Sequence, residues 1–156
     1  MLGTRIVNFC ARELGQQVGS GECADLASKA LEYAGAAGQR PPDYPQPGDY
    51  VWGDLIYSVE YSNGRIVERP RSSARLKLIP GDVIQFHNVT IELSNGYKAI
   101  FGHHTSVLAK VSNKGIDWGL LEQNSLNRRY VVSDTISLSH LQSGYVLVYR
   151  PQPLNR

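Results

Sequence analysis

No stretch of this chain is long and apolar enough to span a bilayer, and no block of charge of one sign stands out. Residues Met1 to Ile6 lack a charged leader followed by a long apolar core. No signal peptide is therefore read, and a cytoplasmic location is expected unless export follows a signal-independent route. Cysteine is scarce: Cys10 and Cys23 alone cannot build a disulfide framework, and reduced thiols suit a reducing compartment. Charged residues make up 19% and the net charge is only +2, too mild to imply nucleic acid or an anionic membrane surface. The densest basic stretch, Arg69 to Arg75, carries no interleaved aromatics and reads as a solvated loop. Repeats and low-complexity segments are also lacking. What remains is ordinary: hydrophobic residues at 42% of 156 positions are enough for one globular domain spanning 1–156.

The first third has helical spacing. Ile6, Val7, Cys10 and Leu14 form one apolar stripe, predicting a helix over about 3–14. Gly19 and Gly21 break it. A second helix is predicted over 22–34, with Leu26, Ala27, Ala30, Leu31 and Ala34 on one side and Gly35 and Gly38 after its end. Four prolines between Gln39 and Gly48 require a loop. Beyond it the period changes to that of short strands. Leu55–Tyr61 and Ile66–Val67 flank an Asn63-Gly64 turn, and Pro80-Gly81-Asp82 leads into Val83–Phe86. Val89–Leu93 and Tyr97–Phe101 form a further pair, as do Ser106–Val111 and Ile116–Gln123. One helical turn at 137–141 precedes a last strand, Tyr145–Tyr149. Helices followed by an antiparallel meander make the class α+β, two N-terminal helices on a sheet of about five to seven strands.

One set of residues points to chemistry. Cys23 opens the second helix, where unpaired N–H groups and the helix dipole favour a thiolate. Ala27 and Ala30 share its side, so the sulfur is expected to face the sheet. The competing reading is a buried structural thiol. A nucleophilic cysteine needs an imidazole, and the imidazole an orienting group. His103 and His104 point to opposite faces of one strand, and His104 is followed on its own side by the small Ser106. Glu122 and Asn124 share one face of the next strand, near enough through a hairpin to hold the ring. A zinc site of His103, His104 and Cys23 is disfavoured because adjacent strand histidines diverge. His87 and His140 read as ordinary histidines and Cys10 as core. Trp52 is a packing aromatic or, beside Gly53, the rim of a substrate groove.

Gly21-Glu22-Cys23, Pro80 to Phe86, His104-Thr105-Ser106-Val107 and Glu122-Gln123-Asn124, in that order over about 3–150, resemble the CHAP and NlpC/P60 cysteine amidohydrolases. The sequence is more similar still to a branch of that fold found as free-standing proteins and at the C-terminal end of fungal cortical-actin adaptor proteins. Tyr50-Val51-Trp52-Gly53 and Tyr149-Arg150-Pro151 carry that likeness. An aromatic residue commonly follows the cysteine in that branch; here it is Ala24. The resemblance implies a papain-like fold and cleavage of a peptide, a peptidoglycan fragment or another amide. Cys23 is then nucleophile and His104 base, with Glu122 and Asn124 as orienting groups and no metal or cofactor. Gln17, six residues before Cys23, matches the separation of an oxyanion glutamine in papain-type proteases, though a surface glutamine explains it equally. The adaptor-borne relatives imply an alternative, a non-catalytic interaction module.

Overall fold

The computed structural model describes residues 1–40, 50–93 and 95–154. Helix α1 (Leu2–Arg12) and helix α2 (Cys23–Ala34) come first. Seven strands follow: β1 (Asp54–Ser62), β2 (Arg65–Arg69), β3 (Val83–Glu92), β4 (Lys98–Ser112), β5 (Asp117–Glu122), β6 (Val132–Ser137) and β7 (Leu141–Arg150). They form one antiparallel sheet in the order β2-β1-β7-β3-β4-β5-β6. The expected α+β, papain-like arrangement of two N-terminal helices on an antiparallel sheet is what the chain adopts. Most of the proline-rich loop expected between Gln39 and Gly48 lies outside the described residues. No helix among the described residues is long and apolar enough to cross a membrane.

Strand alternation sorts side chains between two apolar layers. Val83, Val107, Leu121 and Tyr149 pack with Ile6, Cys10, Leu26, Ala27, Ala30 and Leu31 of the helices. Their neighbours Ile84, Leu108, Leu120 and Val148 join a second layer with Tyr57, Phe86 and Trp118. The Tyr57 and Trp118 rings lie 6.5 Å apart although β1 and β5 are four strand steps apart in the sheet. A flat sheet would separate them by about 19 Å. The sheet is therefore strongly curled, and its concave side closes on itself.

The Pro80-Gly81-Asp82 turn ties the helices to the sheet. Asp82 is fully buried; it accepts the Ile79 N–H at 2.9 Å and Arg150 Nε at 2.5 Å. A Cβ on Gly81 would lie 2.3 Å from the Gly3 Cα, so only glycine lets α1 start against this turn.

Several local expectations change. β3 and β4 are each continuous where two shorter strands were expected. The interruption in the pattern is real, however. Asn88 sits at φ 51°, the register with β7 shifts there, and burial passes from Ile84 and Phe86 to Val89 and Ile91, reversing parity. β6 was not foreseen, because its outward residues are polar and only Ile136 is buried. The basic stretch expected as a solvated loop includes a 3₁₀ turn, Ser72–Lys77, that buries Ala74. Arg75 in that turn donates to Glu68 and, at 2.7 Å, to the Lys114 carbonyl.

Candidate active site

β5 ends at Glu122, opposite Ser106 of β4. The part of β4 before Ser106 therefore loses its partner on that side, and the start of α2 meets it there. Cys23 is the first residue of α2 and half-buried. Its thiol is hydrogen-bonded to the His104 ring and to the backbone N–H groups of Thr105 and Ala24. Gly21 (φ 88°) bends the chain into this position, a conformation that favours glycine.

His104, only 3% exposed, lies parallel to Phe101 with ring centroids 4.4 Å apart. Its Nε2 is 3.0 Å from Glu122 Oε1. A carboxylate only accepts, so Nε2 carries the proton and Nδ1 is left to the thiol. Glu122, 1% exposed, also accepts from Ser106 Oγ at 2.5 Å. It is further hydrogen-bonded to Asp134 of β6. Two carboxyl groups can bond this way only if one keeps its proton. Burial and the Glu122 charge push Asp134 up, whereas His104, Asp134 and Ser106 outweigh burial to hold Glu122 low. Asp134, raised to about 6, is the donor below that value, and Arg128 Nη2 at 2.8 Å favours its carboxylate above it.

The thiol and imidazole are displaced in opposite directions. Burial acts against charge on Cys23, but the His104 hydrogen bond and charge, with the two N–H groups, bring the thiol below its ordinary value. Burial likewise opposes protonation of His104, yet its bonds to Cys23 and Glu122 raise it to about 9. Between those two values the pair is a thiolate beside an imidazolium. Cys10, fully buried, is pushed up to about 12 by desolvation and stays a core thiol.

The structure brings Cys23, His104 and Glu122 together and separates the other sequence-predicted groups. Asn124 was expected to share the ring with Glu122. It instead lies past the strand end at φ 58°, and its Nδ2 donates to Glu22 Oε2 at 3.2 Å. The alternation that would have aimed it at His104 stops with β5. Trp52 is fully buried and donates from Nε1 to Gln85 Oε1 at 3.0 Å, so it belongs to the core and rims no groove. Gln17 is exposed; its amide lies over Gly21, with Nε2 3.4 Å from the Gly19 carbonyl. His103 is exposed and meets the His87 ring edge-on at 4.6 Å, away from His104. Ala24 packs on the helix-side core.

Two contributors went unread in the sequence. Gln123, with no exposed surface, accepts the Val18 N–H at 2.7 Å and donates to the Val18 and Glu22 carbonyls, each at 2.9 Å. It clamps the loop that delivers Cys23. Asp134 could not be placed without β6. Ser106, read only as a small residue, is a hydrogen-bond donor to the carboxylate.

A helix-borne thiol meeting a sheet-borne imidazole within this α+β arrangement defines a papain-like cysteine-proteinase-fold protein. Residues 1–155 match the AIM3/BBC1 cysteine proteinase-fold domain, and the chain belongs to that family. Altered inheritance of mitochondria protein 3 of Debaryomyces hansenii is 30% identical over 154 residues, covering 97% of this chain. The chain spans only 16% of that relative's length. Two solved structures share the fold at 21% identity. The crystal structure of Ly7917 has a TM-score of 0.50, covering 94% of this chain and 62% of that one. Ly7917 with the hydrolyzing product of MDP gives 0.52, covering 96% and 63%.

Proposed function

We propose that this domain is a cysteine hydrolase that cleaves an amide bond through a thioester. The observation that carries this reading is the position of His104, buried between the Cys23 thiol and the Glu122 carboxylate with its affinity for protons raised. The thiolate attacks the carbonyl carbon and forms the C–S bond. The imidazolium gives its Nδ1 proton to the nitrogen, and the C–N bond breaks to release an amine. Water then attacks the thioester as the imidazole takes its proton, and the C–S bond breaks to return the thiolate–imidazolium pair and a carboxylic acid. Glu122 holds the ring tautomer and stabilises the imidazolium, with Asn124 outside this exchange. The Cys23 N–H supplies an oxyanion donor, while the Gln17 amide is turned to the Gly19 carbonyl; in related sites one such donor contributes about 3 kcal/mol.

The second reading, an interaction module that keeps the fold without the chemistry, is favoured by the small share of the D. hansenii relative that the chain spans. The pH dependence of Cys23 alkylation by iodoacetamide separates the two. Cys10 is buried and stays silent in the folded protein, which peptide mapping checks. The hydrolase reading expects labelling well below the ordinary thiol range. With His104→Ala, labelling at pH 7 should fall by up to about thirtyfold, since a thiol of pKa ~8.5 is only about 3% ionised there. A slow thiol that is indifferent to His104 would favour the interaction module.

A further inference from the structure

A cleft of about 470 Å³ runs away from His104, with Lys98 and Ile100 of β4 along one wall and Asn124 and Leu126 along the other. Its role rests on the hydrolase reading, in which the imidazole hands its proton to the leaving amine. The leaving half of a substrate therefore lies on the imidazole side, and His104 forms the inner end of this cleft while Cys23 does not line it. Gly102 contributes no side chain, and a Cβ there would meet nothing within 4 Å, so the floor is open.

The two walls carry aliphatic groups that the fold leaves uncovered. Ile100 is 74% exposed and Leu126 is 52% exposed. Leu126 holds a left-handed backbone, φ 52°, between Asn124 at 58° and Asn127 at 64°. Asparagine tolerates that region, whereas leucine is strained in it, so the surrounding turn keeps Leu126 at the cleft against its backbone preference. The charge is one-sided. Lys98 lines the cleft, and no carboxylate does so among the described residues. Glu92 stands opposite Lys98 across β3 and β4 but lies outside the lining. Lys98 precedes His104 by six residues, about 20 Å of strand. Allowing for the reach of the lysine, an extended peptide covers that path in about four to five residues.

We propose that this cleft takes the leaving-group side of an extended peptide. An aliphatic residue sits between Ile100 and Leu126, and an acidic side chain meets Lys98 about four to five residues beyond the bond that breaks.

Bromoacetyl-Ala-Leu-Ala-Glu-Glu-amide places its peptide on that side when the Cys23 thiolate displaces bromide, forming the C–S bond as the C–Br bond breaks. Its Lys-Lys counterpart is the comparison, and iodoacetamide reports the bare thiol. Saturable labelling of Cys23 is expected, about tenfold more efficient for the Glu-Glu peptide. Lys98→Glu should reverse the preference and leave iodoacetamide labelling unchanged, and Leu126→Ser should weaken both peptides alike. Equal labelling by the two peptides on a thiol that iodoacetamide still modifies rapidly would overturn the inference and leave the hydrolase reading intact. A Glu-Glu preference that survives Lys98→Glu would trace to the imidazolium and overturn the Lys98 assignment. A thiol inert even to iodoacetamide would overturn the hydrolase reading itself.

Discussion

At the α2–β4 junction, Cys23, His104 and Glu122 form a buried polar row. On β1, β2 and the 3₁₀ turn, Tyr57, Glu68 and Arg75 form another, in which the Tyr57 hydroxyl donates to Glu68 Oε2 at 2.5 Å and Arg75 Nε donates to the same oxygen. Both rows are hydrogen-bonded throughout, and among the described residues no buried side-chain polar atom lacks a partner. Their protons behave differently. Burial and the Glu68 charge drive the Tyr57 hydroxyl upward, and Glu68 also raises Arg75, so every proton there is held more tightly. In the first row the thiol moves down while the imidazole moves up, and the proton changes owner. Burial and satisfied hydrogen bonds are common to both rows. What sets the first row apart is that adjacent groups have their proton affinities displaced in opposite directions, with an open cleft beside His104.

The largest disturbance of this contrast after loss of His104 itself is expected from Glu122→Gln. The amide keeps the shape but not the charge, so the His104 value falls from about 9 toward 6.5. Alkylation of Cys23 at pH 7.5 should drop about tenfold, and the midpoint of its pH profile should move up toward the ordinary thiol range. Stability follows the same group. A folded-state value raised from 6.5 to about 9 gives stability fully present below 6.5 and lost as pH rises through about 9. In the wild type the lowered Cys23 value acts with the opposite slope, because the imidazole keeps the proton the thiol gives up, so urea midpoints should stay nearly flat across that window. In Cys23→Ser, where the imidazole titrates alone, they should decline as pH rises.

A smaller loss of reactivity is expected from Gln123→Leu. It strands the Val18 N–H and the carbonyls of Val18 and Glu22, costing about 2 kcal/mol in urea unfolding. Alkylation should slow about threefold as the loop before Cys23 loosens, with no shift in the pH midpoint. No effect on the thiol is expected from Arg75→Ala. It removes a partner of the largely buried Glu68 and should destabilise by about 2 kcal/mol while leaving the alkylation profile superimposable on the wild type. A changed profile in that variant would mean that the two rows communicate, and the contrast between them would fail.

Much of this arrangement was legible from local pattern. The apolar stripe around Ile6 and Cys10, the run from Leu26 to Ala34 and the Asn63-Gly64 turn, with φ of 54° and 79°, all took their expected form. The thiol at a helix start and the opposite placement of His103 and His104 followed from the same rules. Trp52 and Asn124 did not. An indole beside a glycine looks the same in sequence whether Gln85 waits behind it or not. Asn124 keeps the alternation of Glu122 only if the strand continues, and its positive φ ends that alternation.

The sequence by itself determined the periodic elements, the class they make and which face each reactive side chain takes. Those depend on backbone geometry over a few residues, which side-chain spacing reports directly. Only the tertiary structure decided the partners. β5 stops opposite Ser106, so the start of α2 meets the unpaired stretch of β4, Glu122 meets His104, and Gln123 reaches Val18 across 105 positions of chain. Such contacts depend on how seven strands curl and where each ends. No local window contains that information, because the entropy cost of closing these long loops is met only by the assembled core.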